Sequence, residues 1–397
     1  MSSERKLSVL SDPDSMLDEV KAFRARFPIF RDKIHLANNA MGAVGDVHEA
    51  ACRQYLDDRI KYGASWDSAL EQHARLRELF AKLIGAKPSE IAVCYGATQA
   101  ISVIASCYDW KDKDSRGVVF DDYSFPSVAQ LWHAQAQRGA RLQRVAADQA
   151  GLIQPSYFDD ALSEGVDIVS AAHVCYKNGH RLDIDGLAQR TRAAGALLIV
   201  DDYQHCGSRA MNVHAVGVDI LVAGTVKYLL GGPGVTLMYV REGLHDRLHP
   251  TITGWFAQTE QNAMGIDAHL EAPDAAKFQS GTPAVSAIYE SVAGLDLVLS
   301  VGVKKIEIWI KHLTALLMRR LLEEGFSPAT PLDPARRGAQ IAIRAKDASA
   351  AVEALAARGI TSTHRDNNVR TAWHFYNTPD DVEALIEALC AIRPHMA

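Results

Sequence analysis

A lysine that follows an apolar strand pattern is the first candidate for chemistry in this sequence. Lys227 comes shortly after the apolar run Ile220–Ala223 and precedes the glycine-rich turn Gly231–Gly234. Such a turn lets backbone approach a side chain closely, and loss of water around a lysine lowers its pKa. A lysine with a lowered pKa forms Schiff bases readily. Because a lone lysine after a strand is more often a solvated surface charge, Lys227 alone does not identify a site.

Asp201 is the second candidate, and it follows the apolar run Leu197–Val200. One interpretation is a helix N-cap, which is common where a strand leads into a helix. The other is an acid that keeps the ring nitrogen of pyridoxal phosphate (PLP) protonated. Asp201 and Lys227 lie at the ends of different predicted strands, so the pair indicates a PLP site more specifically than either residue does.

Two further segments follow predicted strands. Gly96-Ala97-Thr98 comes after the run Ile91–Tyr95 and opens an apolar helix, where backbone N–H groups and a hydroxyl can bind phosphate. An ordinary helix cap explains this segment equally well. Phe125 comes after the run Val118–Phe120; its ring is either part of the core or free to stack on a flat cofactor.

The elements that position these residues alternate between helical and strand patterns from about residue 70. A helix is predicted over Leu70–Ile84, and two more over Ser127–Arg138 and Asp185–Ala194. The predicted strands are short, continuous apolar runs: Ile91–Tyr95, Val118–Phe120, Ile168–Ala172, Leu197–Val200, Ile220–Ala223 and Val235–Val240. Such runs between helices predict an α/β fold, with a mostly parallel sheet covered by helices on both faces. Ligands of such sheets bind at the carboxyl ends of the strands, where the candidate residues lie.

The pattern changes near residue 285 to that of a small α+β unit. Its predicted elements are a long helical stretch, a strand, a helix, a strand and a terminal helix: Ala287–Glu324, Gln340–Ile343, Ala348–Arg358, Val369–Phe375 and Pro379–Ile392. We therefore predict an N-terminal arm over 1–30, a large PLP-binding α/β domain over 31–285 and a small C-terminal α+β domain over 286–397.

Composition excludes several classes of protein. The chain has 397 residues, 48% hydrophobic and 23% charged, and no apolar stretch of the roughly 20 residues that a membrane helix needs. A net charge of −6 argues against nucleic acid or a membrane surface as the main partner. The six cysteines form no CxxC pair, and the charged N-terminus does not resemble a signal peptide, so we expect reduced thiols and a cytoplasmic location. No histidine pair has metal-ligand spacing on a predicted helix, and we predict no metal.

Beyond these patterns, a set of motifs resembles the PLP-dependent enzymes of fold type I. More narrowly, it is similar to the class V aminotransferase group, which includes kynureninases, cysteine desulfurases and isopenicillin-N-epimerase-like proteins. The motifs occur in order over roughly residues 25–392: LANNAMG (36–42), GATQA (96–100), FPS (125–127), VDDYQ (200–204), VKYLLGGPG (226–234), GWF (254–256), SGTP (280–283) and VRTAWHFYNT (369–378). KYLLGGPG, with GWF and GTP downstream, is most similar to kynureninase.

The resemblance implies a role for each matching residue in binding PLP. Lys227 matches the Schiff-base lysine, Asp201 the partner of the pyridinium, and Gln204 the residue near the phenolic oxygen. The other implied cofactor residues are a stacking ring, Phe125, and the phosphate-binding residues Thr98, Gln99 and Thr225.

The resemblance also implies a homodimer and an amino-acid substrate. Trp255 and Thr282 match the segment that completes the phosphate site of the other subunit. Arg370 matches the arginine that binds the substrate α-carboxylate, and Asn39 lies in a motif assigned to substrate binding. A guanidinium offers a carboxylate two parallel hydrogen bonds, which a lysine cannot reproduce.

The chain departs from the family pattern at two places. The segment 359–370 contains no cysteine, which disfavours a cysteine desulfurase, and Val226 stands where desulfurases have histidine and kynureninases usually tyrosine. General acid–base chemistry would then come from a histidine. His173, which ends a strand, and His205 are better candidates than His35 and His364, and we predict His173 as catalytic.

These observations predict a PLP-dependent enzyme that acts on an L-amino acid. Side-chain cleavage is favoured, by a carbon–sulfur or carbon–carbon lyase or a kynureninase-like hydrolase. The alternative is a class V aminotransferase, and a cysteine desulfurase or a non-catalytic binding protein is less favoured. Retention of Lys227, Asp201 and Arg370 together argues against loss of catalysis.

Overall fold

The computed structural model describes residues 13–112 and 117–397. Its strands in chain order are β1 (Ile34–His35), β2 (Ile91–Cys94), β3 (Val118–Asp121), β4 (Leu142–Val145), β5 (Ile168–Ala172), β6 (Leu197–Asp201), β7 (Ile220–Gly224), β8 (Thr236–Val240), β9 (Gln340–Arg344), β10 (Ile360–Thr361), β11 (Thr363–Arg365) and β12 (Asn368–Ala372). Its α-helices are α1 (Leu17–Arg24), α2 (Asp46–Tyr62), α3 (Trp66–Ile84), α4 (Ala97–Ala105), α5 (Pro126–Ala136), α6 (Asp159–Ser163), α7 (Ile184–Ala193), α8 (Val213–Val216), α9 (Val285–Val301), α10 (Val303–Glu323), α11 (Ala348–Ala356) and α12 (Pro379–Ala391).

The main sheet has seven strands in the order β2-β8-β7-β6-β5-β3-β4. The pairs from β7 to β4 are parallel, and β8 runs antiparallel to both β7 and β2. Along β6, Leu198 and Val200 belong to one hydrophobic cluster, whereas Leu197 and Ile199 belong to another on the opposite face. Burial of both faces explains the continuous apolar runs, and it confirms the predicted α/β fold with a mostly parallel, covered sheet.

A second, three-stranded antiparallel sheet has the order β11-β12-β9, and β1 pairs with β10 in parallel. The core beside the three-stranded sheet contains residues of the C-terminal helices, such as Trp309 and Leu385, together with Phe23 and Phe27 from the predicted N-terminal arm. Residues 1–12 of that arm lie outside the described residues. The division into domains at 30 and 285 stays a prediction.

The predicted continuous helix over Ala287–Glu324 is wrong. The chain forms α9 and α10, which meet at 77°. Gly302 lies between them with φ +88°, a backbone conformation that L side chains rarely adopt, and this ends α9. Several elements were not predicted from the sequence. Among them, β4 and α2 are partly exposed, and their apolar residues do not form continuous runs.

Among the described residues, no single helix has the length and apolar composition needed to cross a membrane. In the described part of the chain, α9 and α10 taken together would meet those criteria, and the chain bends sharply between them.

Candidate active site

A cavity of about 320 Å³ opens at the carboxyl ends of the parallel strands, next to the start of α4. Five residues predicted from the sequence line it: Thr98, Phe125, Asp201, Gln204 and Lys227. Nine further residues complete its wall: Gly96, Ala97, Tyr123, Ser127, Val128, Ala172, Val174, Tyr176 and Tyr203. The loops after β2, β3, β5, β6 and β7 therefore converge as parallel-sheet geometry requires.

Lys227 is half-buried in this cavity rather than a solvated surface charge. The pKa of its ammonium is lowered to about 8, chiefly because burial removes water; Asp201 opposes this effect, and the positive charges of Arg370 and Arg365 add to it. At pH 7, about a tenth of such a lysine is the neutral amine, far more than for a solvated lysine. Lys227 is therefore suited to nucleophilic and proton-transfer chemistry.

Asp201 ends β6 and faces the same cavity. Its carboxylate accepts a hydrogen bond from the backbone N–H of Tyr203 at 3.1 Å. The residues after it form turns, and the next α-helix begins only at Val213, so the helix-cap interpretation is wrong. Burial raises the pKa of Asp201. A cationic group placed in the cavity would favour its charged form, and a protonated pyridine nitrogen is such a group.

Gln204 has one hydrogen-bonding atom to spare at the cavity. Its amide Nε2 donates to the backbone carbonyl of Asn39 at 3.0 Å, whereas the buried Oε1 has no partner among the described residues. A buried acceptor without a partner is costly, so a ligand hydroxyl at this point would be favoured. The phenolic group of PLP fits that requirement.

The start of α4 provides the end of the cavity suited to an anion. Gly96 precedes the helix without a side-chain cap, and Thr98 is exposed in its first turn. Backbone N–H groups and the helix dipole favour a phosphate there. Gln99 does not line the cavity, because its side chain accepts a hydrogen bond from the backbone N–H of Tyr95 at 3.2 Å.

Phe125 lies at the mouth of the cavity, where it is 39% exposed and so is not a core residue. Its ring meets that of Tyr176 edge-on, at 5.1 Å between centres and 73° between planes. The Lys227 amine lies 5.9 Å from the centre of the Phe125 ring. A flat cofactor ring joined to this lysine would therefore find an aromatic face beside it.

Arg370 lies on β12, just behind the cavity wall, and is only 2% exposed. Its Nη1 donates to the backbone carbonyl of Tyr176 at 2.6 Å, while its Nε has no partner, and no carboxylate of the described residues pairs with it. Burial lowers the pKa of the guanidinium to about 10, with a further contribution from Arg365. A buried cation without an anion is unfavourable, so the geometry suits a substrate carboxylate.

Asn39 is buried between the two sheets and does not line the cavity. Its Nδ2 donates to Gln340 at 2.6 Å and to Thr363 at 3.2 Å. Since its carbonyl also accepts from Gln204, Asn39 positions Gln204 from behind in this structure.

Besides Gln99, three predicted cofactor residues lie outside the cavity. Thr225 is fully buried, and its hydroxyl donates to the Gly232 carbonyl at 2.8 Å, so the structure does not offer it to a phosphate. Trp255 packs edge-on against Trp66, with 5.8 Å between ring centres. Thr282 is exposed, and its carbonyl accepts from the Tyr95 hydroxyl. Binding by Trp255 and Thr282 to a second subunit's cofactor stays a prediction.

His173 is turned away from the cavity, although its neighbours Ala172 and Val174 line it. Its Nδ1 lies 2.6 Å from the Asp202 carboxylate, and its ring stacks on His205 at 3.8 Å. Burial lowers the pKa of His173 to about 4, and His205 adds to that effect. The structure therefore does not place His173 for acid–base chemistry in the cavity.

His173, Asp202 and His205 have ligand atoms within 4.8 Å of one another, close enough for a metal site. The hydrogen bonds of both histidines to one carboxylate already account for this spacing. The absence of a metal stays a prediction.

Sequence analysis missed the three tyrosines of the cavity, Tyr123, Tyr176 and Tyr203. A signal existed for Tyr203, since it stands two residues after Asp201 in the motif VDDYQ. Tyr123 and Tyr176 lie in turns, where no periodicity applies.

Comparisons with known proteins identify the relatives of this chain. The family model "Aminotransferase class-V" matches residues 63–385. An uncharacterized aminotransferase, YcbU of Bacillus subtilis, is 32% identical over 94% of this chain and 98% of its own length. A kynureninase of Bacillus anthracis is 28% identical over 92% and 89%.

Solved structures show the same fold at low identity. The cysteine desulfurase CsdA of Escherichia coli has a TM-score of 0.83 at 19% identity, with 95% of this chain and 99% of that chain covered. The protein C-DES, solved with glycine linked to its PLP cofactor, has a TM-score of 0.84 at 17% identity, with 92% and 98% covered.

Proposed function

Since the chain belongs to the class-V aminotransferase family of PLP-dependent enzymes, we propose that it binds an L-amino acid at the Lys227 cavity and cleaves a bond of its side chain. The observation that carries the proposal is the convergence of Lys227 and Asp201 on one cavity. Behind its wall lies buried Arg370, which has no carboxylate partner among the described residues. The residues that line this cavity fit a phosphate, a pyridine ring and its phenolic oxygen.

Each residue has a distinct task in this proposal. Bound PLP supplies an electron sink for negative charge at the substrate Cα. Arg370 would hold the α-carboxylate, and Phe125 and Asp201 would hold the ring and its protonated nitrogen. Lys227 would hold the cofactor and, as a neutral amine, would take the Cα proton of the substrate.

Side-chain cleavage is supported by the kynureninase relative and by the space beside the cofactor residues. Tyr123, Val128, Val174 and Tyr176 give the cavity an apolar and aromatic wall, which suits a substrate side chain of that character. Transamination is the second candidate, because YcbU, 32% identical, carries the name of an aminotransferase.

A screen of L-amino acids tests the reaction class. Pyruvate, alanine, ammonia, sulfide and anthranilate are assayed in parallel, with and without an added 2-oxo acid. Side-chain cleavage releases one of these products in the absence of an acceptor. Turnover that requires the 2-oxo acid would replace our proposal with transamination.

We further propose a homodimer with shared active sites. Four apolar side chains of α2 and the start of α3 are between 43% and 80% exposed: Leu56, Ile60, Tyr62 and Trp66. Leu56 and Ile60, four residues apart, share one face of α2. Trp66 lines a surface cleft together with Thr282 and packs against Trp255, so the start of α3 adjoins the segment predicted to reach a second subunit. Large apolar side chains exposed in one region favour a contact surface there.

The dimer makes a measurable prediction. We expect the protein to sediment at twice its 43.3 kDa mass, and Ile60→Glu to shift it toward monomer and weaken PLP binding, because a buried carboxylate opposes association. Leu332→Glu serves as the control, because Leu332 is an exposed leucine outside α2 and α3. A fully active monomer in dilute sedimentation experiments would contradict the proposal.

A second prediction concerns sulfur. Burial raises the pKa of Cys175 to about 11 and that of Cys206 well above its ordinary value, so neither is a thiolate that could take sulfur from a substrate. If the substrate carries sulfur at Cβ, we expect free sulfide or a thiol and no enzyme persulfide. Cys175→Ala and Cys206→Ala should retain turnover. A persulfide detected by mass spectrometry on either residue would contradict this prediction and support desulfurase activity.

A further inference from the structure

Tyr203 lines the cavity, and its hydroxyl contacts the anion-binding end of α4. We propose that Tyr203 donates its hydroxyl proton to the phosphate group of the cofactor. This inference rests on the proposed function, because it requires PLP in the Lys227 cavity.

The ring of Tyr203 lies between the residues assigned to the cofactor. Its centre is 5.3 Å from the Lys227 amine, and its backbone N–H donates to Asp201 at 3.1 Å. Its hydroxyl oxygen accepts from the backbone N–H of Ala97, the first residue of α4, at 3.1 Å. The side chain therefore runs from the ring-nitrogen end of the cavity to the helix N-terminus.

The hydrogen bonds of this hydroxyl leave its proton available. A phenolic oxygen accepts up to two hydrogen bonds and donates one. One acceptor position is filled by Ala97, and a second short hydrogen bond joins Tyr203 to the buried hydroxyl of Thr236, in which either oxygen can donate. When Thr236 donates, both acceptor positions of Tyr203 are filled and its proton is free for an anion. Burial raises the pKa of Tyr203, so the phenol keeps this proton at neutral pH.

The sequence provides space for this ring at Gly224. A Cβ at position 224 would lie 2.1 Å from a carbon of the Tyr203 ring, which is an impossible contact. Gly224 ends β7, three residues before Lys227. Any larger residue there would displace the tyrosine from the wall of the cavity. Val226, beside Lys227, has no hydroxyl with which to take its place.

The test compares two ligands that differ only in the phosphate. Apoprotein is titrated with PLP and with pyridoxal, and the two dissociation constants are measured from changes in protein fluorescence. We expect Tyr203→Phe to raise the dissociation constant of PLP about tenfold or more, where each tenfold corresponds to about 1.4 kcal/mol. The dissociation constant of pyridoxal should rise less than twofold. Equal weakening of both ligands, or no weakening of PLP, would overturn the proposal.

A matched control is Tyr123→Phe, in the same cavity. The Tyr123 hydroxyl is bonded to His180 and to the backbone N–H of Ile153 rather than to α4, so the ratio of the two constants should not change. Gly224→Ala provides a second route, because its methyl group displaces the Tyr203 ring. Gly224→Ala should reproduce the selective loss of PLP affinity even if Tyr203→Phe does not fold. Equal losses of affinity for PLP and pyridoxal would contradict the proposed role of Tyr203.

Borohydride reduction separates this inference from the function on which it rests. If wild-type protein with PLP is not labelled at Lys227, the proposed function fails. If it is labelled there and Tyr203→Phe keeps its PLP affinity, only the role of Tyr203 fails.

Discussion

Replacing Lys227 by alanine is expected to abolish covalent retention of PLP after borohydride reduction. It is also expected to lower kcat by about 10²- to 10⁴-fold, the range typical for loss of a general base. The reason is its position: Lys227 is a half-buried amine with a pKa lowered to about 8, and it shares a cavity with Asp201. Peptide mass analysis after reduction measures the first effect, and turnover of the substrate found by the screen measures the second.

Lys177→Ala is the matched control for this experiment. Lys177 follows β5 and pairs with Asp366 at 3.4 Å, outside the cavity wall. The Lys177→Ala variant should keep cofactor labelling and turnover within about twofold of the wild-type values, as expected for a surface substitution. A cofactor found covalently trapped at any lysine other than Lys227 would refute the assignment.

Replacing Arg370 by lysine is expected to lower kcat/KM at least tenfold. Hydrogen bonds to a charged group contribute about 1.5–3 kcal/mol, and each tenfold corresponds to about 1.4 kcal/mol. Lysine keeps the positive charge but loses the paired donors, so the change isolates the bidentate contact with the α-carboxylate. Arg370→Ala also removes the positive charge and should lower kcat/KM more than Arg370→Lys does.

The control for Arg370 lies on the neighbouring strand. Arg344 of β9 is exposed, and Arg344→Lys should not change kcat/KM. For an amine analogue of the substrate that lacks the α-carboxylate, replacing Arg370 should lower kcat/KM only slightly. If kcat/KM falls as much for the analogue as for the substrate, Arg370 does not bind the carboxylate.

The sequence predicted those parts of the fold that obey a regular pattern. Runs such as Ile168–Ala172 and Ile220–Ala223 are buried on both faces, so their apolar character is continuous and their bounds agree with β5 and β7 to within a residue. The edge strand β4 contains exposed Arg144, and a strand half in solvent lacks that pattern. Gly302 breaks a helix because of its backbone conformation, which composition alone does not show.

The candidate site divides in the same way. Asp201 and Lys227 could be found because they follow predicted strands, and Arg370 was identified through a family motif. The orientation of His173 could not be predicted, since it depends on which side chain after β5 turns toward Asp202. Tyr123 and Tyr176 reach the cavity only through the conformations of their turns, which are fixed by distant contacts.

The bend at Gly302 has a consequence for how such a chain can change over evolution. In an uninterrupted helix, one inserted residue rotates every later side chain by about 100° about the axis. Here Ile288 and Val292 of α9 pack in the core of the main sheet, while Trp309 and Leu313 of α10 pack in the core of the small one. Because Gly302 resets the helical phase, a length change in α9 need not alter which face α10 presents. The two cores stay connected through the end of α9, where Leu297 and Val298 pack with the core of the small sheet.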